Sequence, residues 1–151
     1  MIYLAADHRG FRLKESLKAL LLAEGHAVED VGALALDSGD DYPDFAAAAA
    51  KKIAAGPAKH KGILLCGSGH GVDIVANKFK GVRAALCWNA DVARQSRAHD
   101  DANVLVFAAD WLDENNAKEI VRVWLATPFS GEERHRRRLE KINQVESANF
   151  Y

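Results

Sequence analysis

Residues 62–71 read GILLCGSGHG, a short apolar run that ends in three glycines at alternate positions. An almost wholly apolar segment of this length is typical of a β-strand buried on both faces, as strands of a parallel sheet are. Gly67, Gly69 and Gly71 then predict a tight turn from this strand into a helix. In folds of this kind, ligands bind beyond the carboxyl ends of the strands. We therefore expect a functional site at this loop.

The segments on both sides repeat the same alternation of an apolar run and an amphipathic helix. We predict strands at 2–5, 27–31, 62–66, 83–87 and 103–107. Helices are predicted at 11–24, 44–55, from the glycine loop to about 79, 91–98, 114–126 and 132–146. Five β-α units in succession imply an α/β protein. Its fold would be a three-layer α/β/α, Rossmann-like arrangement with a five-stranded parallel sheet and a C-terminal helix. We assign residues 1–151 to a single domain.

The composition excludes several classes of protein. The 151 residues carry a net charge of −1, so no basic excess indicates a nucleic-acid partner. Two cysteines are too few for a disulfide scaffold or a four-cysteine zinc site, and the six histidines show no H-x-x-x-H spacing, so we predict no metal. No apolar run approaches the roughly 20 residues of a membrane helix, and the N-terminus lacks signal-peptide features. We expect a cytoplasmic protein with no membrane partner.

The glycine loop has the features of an anion-binding turn beside a thiol. Its backbone N–H groups and the following helix N-terminus favour a negative ligand, and they would give Cys66 thiolate character. Val72 stands where a nucleotide P-loop needs lysine and a cysteine phosphatase needs arginine, and the glycine spacing is not that of a dinucleotide fingerprint. The alternative is an inert strand-to-helix turn, although three glycines exceed what a turn requires.

Two other loops at strand ends carry polar side chains. Asp7, His8 and Arg9 follow the first strand, and His8 suits a general acid/base or an anion ligand. These residues could alternatively cap the helix that follows. Tyr42 could offer its hydroxyl to a ligand, although its loop could equally serve only to cap the next helix.

A further group of candidates follows the fourth and fifth helices. His99 stands between a helix and the fifth strand, at the amino end of the sheet and away from Cys66 of the same chain. If His99 is catalytic, it would serve a neighbouring subunit. Arg134 and Arg138 are four residues apart, so they share a helix face that suits a phosphate. The alternative is a solvated charged face, since acidic residues flank both arginines.

Taken together, six segments resemble the type B ribose-5-phosphate isomerases, which include the galactose-6-phosphate isomerase subunits. They are ADHRG at 6–10, DYPDFA at 41–46, GILLCGSGHG at 62–71, ANK at 76–78, the pattern S-R-x-H-x-D-A-N-V-L at 96–105 and R-H-x-R-R at 134–138. The resemblance extends from Leu4 to about Val145. It implies a metal-free and cofactor-free aldose–ketose isomerase that acts on phosphorylated sugars.

The resemblance also assigns roles to residues. Cys66 would be the base that moves a proton between C2 and C1 through a cis-enediolate. His99 would open the sugar ring with help from Asp7. Ser68 and the backbone amides of Gly67, Gly69, His70 and Gly71 would stabilise the enediolate oxygens. The expected phosphate ligands are His8, Arg134 and Arg138, and further substrate contacts are expected from Tyr42, Asp100 and Asp110. The resemblance implies a homodimer or homotetramer with the site shared between subunits.

Three departures from the family pattern add negative charge near the expected phosphate site. Asp100 replaces a usual Asn, Asp110 replaces a frequent Arg, and Glu132-Glu133 replace a common Gly-Gly. These acids would repel a phosphate dianion unless they pair with arginines. Otherwise the substrate differs in length, stereochemistry or phosphorylation, and we hypothesise such a change in specificity. A non-catalytic sugar-phosphate-binding subunit is the alternative function, but the presence of Cys66 and His99 favours catalysis.

Overall fold

A five-stranded parallel sheet of strand order β2-β1-β3-β5-β4 forms the centre of the protein. The structure is a computed structural model that describes residues 1–150. The strands are β1 (Ile2–Ala6), β2 (Val28–Gly32), β3 (Lys61–Cys66), β4 (Ala84–Leu86) and β5 (Val104–Ala108). The sheet confirms the predicted fold class, and β3 lies at its centre, as its apolar sequence indicates.

Six helices cover the two faces of the sheet. They are α1 (Phe11–Ala23), α2 (Tyr42–Ala54), α3 (His70–Ala76), α4 (Ala90–Asp100), α5 (Glu114–Ala126) and α6 (Glu133–Asn149). Among residues 1–150, no helix combines the length and the apolar character needed to cross a membrane. The location predicted from the sequence stays a prediction.

Strand β3 contributes to two separate hydrophobic cores. Ile63 and Leu65 pack among residues of α1, α4 and α5 on one face of the sheet. Leu64 and Cys66 pack on the other face among residues of α2 and α3. All four residues are at most 4% exposed. Both faces of this strand are therefore buried, so that packing holds its last residue, Cys66, in place at the start of the glycine loop.

The main differences from the predicted boundaries are at α3 and β4. Helix α3 ends at Ala76 rather than near residue 79, because Asn77 terminates it and bonds to β4 instead. The Asn77 side chain donates to the Ala84 carbonyl at 3.1 Å and accepts the Ala84 N–H at 2.9 Å. Strand β4 lies at the sheet edge and has only three residues, two fewer than predicted.

The parallel topology separates the two ends of helix α4. Because α4 connects the end of β4 to the start of β5, its last turn lies where the amino ends of the parallel strands meet, here called the amino edge of the sheet. The Nε of Arg83, the residue before β4, donates to the Asp100 carbonyl at 3.0 Å. Cys66 ends β3 on the opposite side, the carboxyl edge, where the carboxyl ends of the strands meet, and it lies beside Ala108.

Candidate functional site

A cleft of about 320 Å³ opens at the carboxyl edge of the sheet, where the sequence predicts a site. It is bounded by the loop after β3, by the loop after β1 and by the start of α2. The lining residues are Asp7, Arg9, Tyr42, Cys66, Gly67, Ser68, His70, Gly71 and Ile74. The sequence predicts seven site residues here, namely Tyr42 and the six residues from Cys66 to Gly71. Six of the seven line this cleft, and the seventh, Gly69, is buried just behind it.

The loop glycines make room for side chains that come from other loops. A Cβ on Gly67 would lie 2.4 Å from Nε of Arg9, and a Cβ on Gly71 would lie 2.4 Å from the ring of Tyr42. Gly69 has a φ of 76°, a conformation that suits glycine. The glycine pattern thus shapes the cleft through close packing as well as through backbone approach to a ligand.

Cys66 is the thiol of the cleft, and Cys87 is a core residue. Both side chains are buried, but only Cys66 lines the cleft, at the last position of β3. Burial raises the pKa of the Cys87 thiol to about 11, so this thiol stays protonated near neutral pH. Of the two cysteines, Cys66 alone is placed to react with a ligand in this cleft.

The glycine loop carries polar groups in the cleft lining, at Ser68, and just behind it, at Gly69. The exposed Ser68 Oγ accepts a long hydrogen bond of 3.4 Å from the His70 N–H. Within residues 1–150, the N–H groups of Ser68 and Gly69 donate to no protein atom. Free N–H donors beside a thiol are the arrangement that stabilises an oxyanion formed next to that thiol.

Asp7 is a buried carboxylate that orders the loop after β1. Its residue is 5% exposed, and its Oδ1 accepts the N–H groups of Arg9 at 3.0 Å and Gly10 at 3.2 Å. Gly10 is required there because a Cβ would lie 2.7 Å from Cβ of Leu65. Asp7 therefore has a structural task as well as a place in the cleft lining.

His8 lies beside the cleft and is held by Asp40, a residue that the sequence reasoning missed. The Asp40 Oδ1 lies 2.7 Å from His8 Nδ1 and also accepts the His8 backbone N–H at 3.0 Å. The hydrogen bond to Asp40 is the main cause that raises the pKa of His8 above its usual value. Burial opposes this rise, and the charge of Asp7 adds to it.

Arg9 is a second cleft residue that was not among the predicted ligands. Its guanidinium forms an ion pair with the carboxylate of Asp110, whose own N–H donates to the Gly67 carbonyl at 3.0 Å. Asp110 thus pairs with an arginine, one of the two outcomes considered for this acid. The signal in the sequence was the unusual Asp7-His8-Arg9 triplet, but its partners lie 32 and 101 residues away along the chain.

The remaining predicted site residues gather at the amino edge of the sheet. The imidazoles of His99 and His135 stack with ring centroids 4.4 Å apart. His135 is buried, and burial, followed by the nearby His99 and Arg134, lowers its pKa. The Ser130 N–H donates to the Ala98 carbonyl at 3.0 Å and brings the start of α6 to the end of α4.

Arg134 and Arg138 begin α6 beside this histidine pair. The Nε of Arg134 donates to Glu132 at 2.9 Å, so this acid also pairs with an arginine. Asp100 is exposed and lines a different, mostly apolar groove of about 380 Å³ between α6 and β4. The predicted site residues thus form two groups on opposite edges of one sheet, as the sequence predicts for His99 and Cys66.

One cluster has the residue types of a metal site. Asp7, His8 and Asp40 each bring one possible ligand atom within 4.8 Å of the others. Two ligands bound to one Zn²⁺ at about 2.0–2.2 Å stand about 3 Å or more apart, farther than the 2.7 Å between His8 and Asp40. This cluster fits an internal hydrogen bond better than a metal ion, and the absence of a metal stays a prediction.

The sequence profile of a family described as Ribose/Galactose Isomerase matches residues 2–142. Ribose-5-phosphate isomerase B of Escherichia coli (strain K12) is 40% identical over 145 residues, which are 96% of this chain and 95% of that protein. Ribose-5-phosphate isomerase B of Mycolicibacterium paratuberculosis is 39% identical and covers 96% of this chain and 91% of its own.

Solved structures agree with the fold. The crystal structure of ribose-5-phosphate isomerase B from Mycoplasma genitalium with bound ribulose-5-phosphate superposes with a TM-score of 0.94 at 40% identity. The alignment covers 97% of this chain and 95% of that one. The corresponding enzyme from Thermotoga maritima has a TM-score of 0.89 at 44% identity, with 95% and 97% covered.

Proposed function

The chain belongs to the ribose/galactose isomerase family, and we propose that it interconverts ribose 5-phosphate and ribulose 5-phosphate with Cys66 as the base. It is an aldose–ketose isomerase of the type B ribose-5-phosphate isomerase kind. The observation that carries the assignment of the base is the placement of one thiol in a cleft lined by polar groups.

The proposed reaction is a proton transfer between two adjacent carbons. The Cys66 thiolate removes the proton from C2 of the open-chain aldose, and the electron pair forms the C1–C2 double bond of a cis-enediolate. The carbonyl electron pair moves to the C1 oxygen in this step, and a proton then passes from the C2 oxygen to the C1 oxygen. The thiol returns its proton to C1 as the C2 oxygen becomes a carbonyl. A side chain held rigidly at the end of β3 suits this task, because the same atom has to reach both carbons.

The negative charge of the enediolate needs donors that are already in place. We assign this task to Ser68 and to the amides of the glycine loop, whose N–H groups at Ser68 and Gly69 have no acceptor within residues 1–150. Removal of one such donor in other enzymes costs roughly 10²–10³ in rate. Tyr42, packed on Gly71, closes the cleft on the side of α2 and is proposed to contact the substrate.

The second group of residues is proposed to act in the cleft of another copy of the chain. His99, Arg134 and Arg138 lie at the amino edge and cannot meet Cys66 of the same sheet. In a homodimer or homotetramer, they would bring a ring-opening histidine and two phosphate ligands to the partner's cleft. Asp7, in the cleft itself, would assist ring opening.

The added acids are compatible with a phosphorylated substrate. Asp110 and Glu132 are each paired with an arginine, so their charges are largely offset. This pairing removes the objection to ribose 5-phosphate for these two acids; Asp100, which is exposed and forms no ion pair within residues 1–150, is the acid on which a changed specificity would depend. A comparison of kcat/KM for ribose 5-phosphate with that for tetrose and hexose phosphates and for free sugars tests this choice.

The first experiment replaces the base. We expect Cys66→Ala to abolish isomerisation and exchange of the C2 proton with deuterium from solvent, with an unchanged far-UV spectrum and melting temperature. Cys87→Ala is the matched control, since it removes the other thiol and should retain proton exchange. Normal isomerisation by the Cys66 variant would refute the assignment of the base.

The second experiment tests the shared site. Cys66→Ala and His99→Asn are each expected to inactivate the homo-oligomer. When the two variants are denatured together and refolded as a mixture, one intact site should form in each mixed dimer and activity should return. If the mixture stays inactive while both variants fold and associate, the two groups do not share a site.

A further inference from the structure

Asp40 is a buried carboxylate, and contacts within its own loop do not offset the free-energy cost of burying it. Its side chain is only 8% exposed, and its second oxygen, Oδ2, is buried without a hydrogen-bond partner among residues 1–150. A buried charge with an unpaired oxygen destabilises a protein unless a nearby cation compensates it. Asp41, rather than Asp40, precedes α2, so helix capping does not account for Asp40.

The geometry around Asp40 points to His8 as that cation. One oxygen, Oδ1, accepts the backbone N–H of His8 and also lies 2.7 Å from the ring Nδ1. We propose that Asp40 is a positioning residue, which holds the His8 imidazole as a cation with Nε2–H free to donate to the phosphate of the substrate. This inference rests on the proposed function, since it concerns the same phosphate.

The hydrogen bond also determines which protonation state can bind an anion. An ionised carboxylate only accepts hydrogen bonds, so Nδ1 of His8 carries a proton in both forms of the ring. In the neutral form, Nε2 is then a bare acceptor that faces away from Asp40 and would repel a phosphate. Only the imidazolium has an N–H donor at Nε2. Phosphate binding through His8 therefore requires the cation that Asp40 favours.

All but one of the charged groups that face His8 favour its protonated form. Asp7 and Asp40 favour the imidazolium, and Arg9 disfavours it. Arg9 is itself paired with Asp110, which reduces its repulsion of a second cation. The combined result is a pKa of His8 that is raised above the usual value, chiefly through the bond to Asp40.

The kinetic test compares Asp40→Asn, Asp40→Val and the control Asp44→Asn, which removes an exposed charge from the first turn of α2. KM and kcat for ribose 5-phosphate are measured from about pH 6 to pH 9. We expect KM of the wild type to rise once His8 loses its proton. In both Asp40 variants, KM should begin to rise at a lower pH. Where His8 of the wild type is still protonated, KM of the variants should be roughly tenfold higher than that of the wild type, with kcat little changed. The control follows the wild type.

Two readouts separate positioning from a general effect on folding. In ¹⁵N spectra, neutral His8 of the wild type and Asp40→Asn should carry its proton on Nδ1, whereas Asp40→Val should release the ring to the other tautomer. Inorganic phosphate, used as the probe, should shift the His8 resonance of the wild type at higher pH than that of either variant. In a His8→Gln background, Asp40→Asn should leave KM unchanged.

The outcomes distinguish this inference from the proposed function. An identical pH dependence of KM in the wild type and both Asp40 variants would overturn the inference, as would a full effect of Asp40→Asn in the His8→Gln background. If the wild-type protein fails to isomerise ribose 5-phosphate, the proposed function fails. The NMR titration with inorganic phosphate still tests the Asp40–His8 relation in that case.

Discussion

The contact between Gly71 and Tyr42 predicts how one methyl group would change the cleft. In Gly71→Ala, the new Cβ would lie 2.4 Å from Cε2 and Cζ of the Tyr42 ring, whereas an ordinary contact begins at 3.4 Å. The ring therefore has to move by about 1 Å. Tyr42 is 39% exposed, so its ring can move toward solvent without disturbing the core.

This displacement should affect activity far more than stability. Gly71 lies in α3 with no positive φ, so alanine gains up to about 1 kcal/mol of helix propensity, which offsets part of the lost ring contact. We expect the free energy of unfolding to change by no more than about 1 kcal/mol. A misplacement of about 1 Å in a site can cost up to 10²-fold, so kcat/KM for ribose 5-phosphate should fall roughly ten- to hundredfold.

The assay combines steady-state kinetics with urea unfolding of the same preparation. Gly39→Ala is the matched control, because a Cβ there meets only Asp37 at 3.4 Å. If Tyr42 transmits the effect, adding Gly71→Ala to Tyr42→Ala should cost nothing further. Wild-type kcat/KM in Gly71→Ala, or an equal loss on top of Tyr42→Ala, would refute the reasoning.

Two further predictions concern stability. Lys14 is fully buried with its Nζ 2.6 Å from Asp30, so Lys14→Met should cost about 3 kcal/mol in urea unfolding near neutral pH. Burial raises the pKa of Asp30, but the hydrogen bonds from Lys14 and Lys18 outweigh it and lower the pKa overall. The ionised Asp30 therefore stabilises the fold, and this stabilisation is lost as pH falls through its pKa. The free energy of unfolding of Lys14→Met should accordingly fall less steeply with decreasing pH than that of the wild type. The pKa of buried His135 is lowered by burial and by His99, so the wild type should lose stability as pH falls below about 6.5. His135→Asn should flatten this slope in unfolding curves, and an unchanged slope would contradict the burial argument.

The sequence predicts the fold well because each element depends on local patterns. The apolar run of β3 and the helical spacing of α5 are visible within one short segment, and their observed bounds match the prediction to within one residue. Helix α3 ends earlier than predicted because the Asn77 side chain forms a hydrogen bond with Ala84 of β4, and the hydrophobic periodicity of the sequence does not reveal this contact. The edge strand β4 is shorter than predicted since it pairs with β5 on one side only.

The candidate site was predicted in part for the same reason. The loop at 66–71 is one continuous motif, and its position at a strand end follows from the topology rule. The triplet of Asp7, His8 and Arg9 is visible in the sequence, but the partners of His8 and Arg9 come from other loops, so the pairing with Asp40 and Asp110 could not be recognised before the fold was known.

The acids beside the site cations also determine how the protein acts on a charged substrate at a distance. His8 is paired with Asp40, Arg9 with Asp110 and Arg134 with Glu132, and the whole chain has a net charge of −1. Beyond a Debye length of about 8–10 Å, each pair resembles a small dipole. We therefore expect these three pairs to exert little long-range attraction on a phosphate ester, so that the rate of encounter should vary little with ionic strength.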